Sequence, residues 1–117
     1  MTKPRTRLLA TAVVCAAAAL PLAGASPAAA ATCSPGKYPG QGYFTSLKAY
    51  NISCKGARSV ELGHYRCRTR HGIKGRCSSF NGWRCTETRR AIATEYNARV
   101  TCRKGSRKVV YTYQQNT

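Results

Sequence analysis

Aspartate is absent from this 117-residue chain, and its three acids are Glu61, Glu87 and Glu95. A serine-type triad therefore has no Asp to orient its histidine, and no G-x-S-x-G turn occurs to carry a nucleophile. Histidine is nearly as scarce, with His64 and His71 the two imidazoles. No C-x-x-C pair occurs, and the long gaps between cysteines do not suit the knuckles of a structural zinc site. Neither a metal nor a cofactor is expected.

The first thirty or so residues read as an export signal. Lys3, Arg5 and Arg7 form a basic start, Leu8 to Leu20 runs without charge, and Pro21 stops any helix. Small residues follow, closing with Ala29-Ala30-Ala31, as the signal peptidase requires. The apolar run is too short to span a bilayer comfortably. The expected division is a signal peptide at 1–31, with Ala25 and Ala30 as alternative cleavage points. An irregular N-terminal arm at 32–42 and a single small disulfide-rich domain at 43–117 follow. Leu22-Ala23-Gly24 resembles the start of a lipoprotein signal, but Ala25 stands where the lipid-bearing Cys belongs. The expected location is extracellular.

What is abundant is positive charge. Taking the three basic residues of the signal from the formal +17 leaves +14 on the remaining 86 residues. Removal of the signal also removes Cys15, leaving Cys33, Cys54, Cys67, Cys77, Cys85 and Cys102. An even set of six in a short exported chain reads as three disulfides, the staples a small core needs.

Residues 32–42 hold two prolines and three glycines and predict an irregular arm. Tyr43 to Ile52 predicts a first strand, and Ser53 is placed to cap a helix. Cys54, Ala57, Val60, His64 and Cys67 then recur on one helical face. Gly56 and Gly63 each weaken that helix by about 1 kcal/mol relative to Ala. Arg68 to Arg76 reads as a basic loop. Trp83 and Cys85 alternate with Arg84 and Thr86. Ala98, Val100 and Cys102 form one face of a strand that turns at Lys104 to Arg107 and returns through Val109, Tyr111 and Tyr113. The fold class is α+β: a small antiparallel sheet in β-α-β-β-β order with one helix packed on it.

Cys54 and Cys67 are too far apart along an intact helix to bridge, about 20 Å. With Cys85 and Cys102 also facing inward, two bridges from helix to sheet are expected. That leaves Cys33 to join Cys77, and a local Cys67–Cys77 bridge is the main alternative.

The stretch Thr94-Glu95-Tyr96-Asn97-Ala98-Arg99-Val100-Thr101-Cys102 and the ending Tyr111-Thr112-Tyr113-Gln114-Gln115-Asn116-Thr117 resemble small uncharacterised secreted proteins of actinobacteria. Asn51-Ile52-Ser53-Cys54 and Gly82-Trp83-Arg84-Cys85 share that look. The resemblance implies export and a bacterial origin, and it brings no catalytic residues.

So large an excess of charge repels itself, and an anionic partner explains it better than solubility alone. Nucleic acid, an acidic wall polymer and anionic lipid all qualify. The candidate contacts are Arg68, Arg70, Lys74 and Arg76 in the basic loop, with Arg103, Lys104, Arg107 and Lys108 around the hairpin turn. Arg84 and Arg99 join Arg103 on outward strand positions. Tyr38, Tyr43, Tyr50 and Trp83 offer stacking surfaces, although Trp83 and Tyr111 suit a core. A ribonuclease is the next reading, drawing its acid and base from His64, His71 and the three Glu. His64 on the inward face suits a packed, hydrogen-bonded role. Glu61 near Arg58 and Glu87 near Arg89 suit surface ion pairs. A protease inhibitor using the 68–76 loop, or an antimicrobial basic surface, completes the set. The preferred reading is a non-enzymatic binder.

Overall fold

The structure, a computed structural model, describes residues 29–117 together with Thr2, Pro4, Thr11 and Ala12. Most of the expected signal segment, Cys15 included, lies outside the described residues. The elements are β1 (Ala31–Cys33), β2 (Gly42–Tyr50), α1 (Cys54–Thr69), β3 (Ser79–Phe80), β4 (Trp83–Ile92), β5 (Glu95–Lys104) and β6 (Arg107–Asn116). The strands form one antiparallel sheet in the order β1-β2-β6-β5-β4-β3. The architecture is α+β, with one helix on the sheet, but six strands stand where four were expected. The two additional strands are short edge pieces. One of them, β1, falls across the start of the arm expected to be irregular at 32–42.

Turn chemistry sets the register. Asn81 (φ +47) and Gly82 (φ +82) link β3 to β4, two successive positive φ values that suit the type I′ hairpin turn. Gly105 (φ +58) opens the two-residue turn between β5 and β6, as a type II′ turn requires. The period-2 pattern then carries Tyr96, Ala98, Val100 and Cys102 to the face that also holds Val109, Tyr111 and Tyr113. All seven are buried.

Helix α1 starts where Ser53 Oγ accepts the Gly56 N–H at 3.0 Å. Its buried residues, Ala57, Val60, Glu61, His64 and Arg68, take the i, i+3, i+4, i+7 and i+11 positions of one helical face. Gly63 belongs to close packing, because a Cβ there would lie 2.6 Å from the Phe80 ring. The cost in helix propensity is offset by that contact.

The disulfides correct the expected pairing. They join Cys33 to Cys54, Cys67 to Cys77 and Cys85 to Cys102. Cys85 and Cys102 sit directly opposite on β4 and β5, with Cα atoms 4.1 Å apart, so they meet each other before either can reach the helix. The helix ends are instead tied by Cys54 to β1 and by Cys67 to the loop after it. That last bridge is the local alternative to the expected pairing.

Candidate anion-binding face

One side of the sheet is covered by α1 and the 70–78 loop. The other side has no covering layer among the described residues. Strand alternation assigns the side chains to it, and the register arranges them in rows across β4, β5, β6 and β2. Nearest the Gly105 turn, Arg84, Arg103, Lys108 and Tyr50 stand opposite one another. The next row is Thr86, Thr101, Val110 and Lys48, followed by Thr88, Arg99, Thr112 and Ser46. Next come Arg90, Asn97, Gln114 and Tyr43, and beyond them Ile92, Glu95 and Asn116 end the face on three strands.

Like charges directly opposite across strands are destabilising. Here three cations stand in one row, with Glu95 the one acid on this face of the four strands. The Cys85–Cys102 bridge cross-links the residues next to Arg84 and Arg103. It fixes the spacing of that pair from behind. Two hollows flank Arg103. One, about 390 Å³, lies among Gly82, Arg84, Lys104 and Gly105. The other, about 220 Å³, lies among Tyr50, Ser106, Arg107 and Lys108. Lys104 is steadied by donating to the Asn81 carbonyl at 3.0 Å. Lys108 rests 4.1 Å from the centre of the Tyr50 ring, so that aromatic is already engaged by a cation.

Of the ten cations expected at the site, six gather here: Arg84, Arg99, Arg103 and Lys108 on the face, with Lys104 and Arg107 at its hairpin end. Lys48 and Arg90 belong with them and were missed. Arg90 would have followed from carrying the alternation of Arg84, Thr86 and Thr88 further along β4. Arg70, Lys74 and Arg76 are exposed on the opposite side, where Arg89 Nη1 donates 2.8 Å to the Lys74 carbonyl from beneath. The basic loop and the basic face are therefore separate surfaces.

Arg68 is a clear correction. It belongs to the last turn of α1, not to a loop, and it has no exposed surface. Its Nη1 donates to the Tyr96 hydroxyl at 3.1 Å and to the Ile73 carbonyl at 3.4 Å, while Nη2 donates to Tyr38 Oη. The guanidinium lies 4.0 Å from the centre of the Tyr113 ring and 5.1 Å from that of Tyr65. Burial opposes its charge, but the surrounding tyrosine oxygens outweigh that effect and raise its pKa. Tyr38 passes the network on to Gln115 Oε1, and burial raises its hydroxyl pKa to about 12. Next to this cage, Glu87 accepts from Tyr113 Oη at 2.9 Å and pairs with Arg89 Nε. Glu87 thus pairs with Arg89 as expected, but with its side chain buried.

His64 and Glu61 are both fully buried. His64 contacts Tyr111 Oη through Nδ1 and the Cys77 carbonyl through Nε2 at 3.1 Å, the packed role its position implied. Glu61 is no surface ion-pair partner of Arg58. Its Oε1 accepts the Gly36 N–H at 2.9 Å and so pins the N-terminal arm to the helix. His71 is exposed in the loop on the helix side, away from the open face.

Burial lowers the His64 pKa to about 4 and raises that of Glu61 to about 7. These shifts act on stability with opposite sign. His64 binds its proton more readily unfolded, so its contribution is lost as pH falls from about 6.5 towards 4. Glu61 binds its proton more readily folded, so its contribution is lost as pH rises from about 4.5 towards 7. Between these limits they offset each other. Glu61→Gln leaves His64 unopposed and should raise the gain in stability from pH 4.5 to 6.5 by about 2 kcal/mol relative to the parent. Urea unfolding at the two pH values reads the difference, and parallel profiles for parent and variant would contradict it.

No protein-family model matches the chain, and no curated protein or solved structure is significantly similar to it.

Proposed function

We propose that this is an exported, non-enzymatic protein that binds anionic polymers or surfaces through the open face of its sheet. Nucleic acid, an acidic wall polymer and anionic lipid are the partner classes. The observation that carries this reading is the row of Arg84, Arg103 and Lys108, extended by Lys48, Arg90 and Arg99 on the same face. Holding these cations together costs stability that an anion would return. Three disulfides agree with an oxidising, extracellular setting. A rigid, disulfide-backed sheet also suits binding, because little ordering entropy is lost when a partner docks.

Catalysis on such a polymer would need an acid and a base beside the cations. Of the two histidines, His64 is sealed in the core and His71 lies on the helix side. Titration of pure protein with RNA, polyphosphate and anionic vesicles at low salt tests the proposal. Binding to at least one of them, with RNA recovered intact, is expected. Failure to bind any of them, or cleavage of the RNA, would overturn it.

A further inference from the structure

The open face is not uniform along its strands, and the end far from Gly105 has a different chemistry. A hollow of about 460 Å³ lies there, lined in part by Arg90, Asn97 and Arg99. A β-bulge between Phe44 and Ser46 interrupts the β2–β6 register at this level. It brings Thr45 and Ser46 together beside Thr112, whose hydroxyl lies 2.6 Å and 2.5 Å from theirs. Bulges commonly re-aim side chains at functional sites. In the adjoining row Tyr43, 64 % exposed, follows Gln114 and Asn97.

Cations alone would serve any polyanion. The Asn97 amide, clustered hydroxyls and an exposed aromatic ring add nothing for a chain that carries only phosphates. They match the remaining parts of a nucleotide: base edge, sugar hydroxyl and base face. Among the described residues, Ile92 and Val110 are the aliphatic side chains on this face, and they stand in different rows rather than forming an apolar strip that could enter a lipid layer.

We propose that this hollow, with Asn97 at its edge and Tyr43 beside it, is a nucleotide subsite for single-stranded nucleic acid. The strand's phosphates run on towards Arg103. From Asn97 to Arg103 along β5 is about 20 Å, a length that several nucleotides of an extended strand cover. The inference rests on the anion-binding reading above and narrows it to one partner.

The test uses the double variant Tyr43→Ala with Asn97→Ala. Both residues are exposed, so folding is preserved, and circular dichroism checks that it is. Three probes are titrated: a short uridine oligonucleotide, an RNA duplex of similar charge, and polyphosphate. The variant should bind the single strand about tenfold more weakly, as expected for losing one stacked and hydrogen-bonded base. Its affinity for duplex and polyphosphate should not change, because neither offers a free base. Equal affinity of parent and variant for the oligonucleotide would overturn the nucleotide subsite while leaving anion binding intact. Equal losses on all three probes would overturn it too. If the parent bound none of the three, the nucleotide subsite would fail, and the broader reading would fail with it once anionic vesicles were not bound either.

Discussion

Arg68→Ala is expected to destabilise the protein by about 3–5 kcal/mol, measured by urea unfolding with the disulfides intact. The substitution removes the buried arginine stem, which opens a cavity beneath α1. It also leaves the Tyr96 hydroxyl and the Ile73 carbonyl without their guanidinium partner. Tyr113 and Tyr65 lose the cation over their rings. Arg68→Lys should recover only part of the loss, since one ammonium cannot replace a planar fork that reaches Tyr38 and Tyr96 together. Arg68→Met keeps most of the volume and should fall between Ala and the parent. Because Arg68 is caged on the helix side, a folded Arg68→Met protein should bind polyanions as the parent does. A loss of under 1 kcal/mol for Arg68→Ala would mean that the tyrosine cage contributes little.

Arg68 also marks where a linear reading stops. An arginine at the start of a basic loop reads as solvent-facing, yet it lies four residues after His64 and continues the buried stripe of Ala57, Val60, Glu61 and His64. The spacing was visible, as was Tyr65 one turn earlier on α1. The hydroxyls that make burial of a cation tolerable come from Tyr96 on β5 and Tyr38 in the arm, and the nearest ring from Tyr113 on β6, which no local pattern connects. The β5–β6 hairpin was legible because turn and alternation agree there residue by residue. The Ser53 cap was legible because it needs only the next helical turn. Disulfide pairing depends on which strands become neighbours, so the direct opposition of Cys85 and Cys102 could be read only from the register. Of the basic face, the outward positions of Arg84, Arg99 and Arg103 were legible from alternation alone. Their alignment with Lys108, Lys48 and Arg90 again required the register.

Neutralising the row Arg84, Arg103 and Lys108 to glutamine should lower affinity for a polyanion on the order of a hundredfold at low salt. Folding should not suffer. All three side chains project from the uncovered face, and the row's mutual repulsion disappears, so stability should be equal or higher by up to about 1 kcal/mol. Arg103 borders both hollows at the Gly105 end and should be the most sensitive of the three.

Net charge alone could produce some loss of affinity, and position separates the two explanations. The triple Arg84→Gln, Arg103→Gln, Lys108→Gln and the triple Arg70→Gln, Lys74→Gln, Arg76→Gln remove the same charge from opposite sides of the sheet. Titration of both with a polyanion across a salt series reads the counterions released by each surface. If the open face is the binding site, the first triple should reduce the salt slope by about two, as loss of three contacts to a single strand predicts, and the second should leave it nearly unchanged. Equal reductions in both triples, or a larger one in the loop triple, would contradict the account.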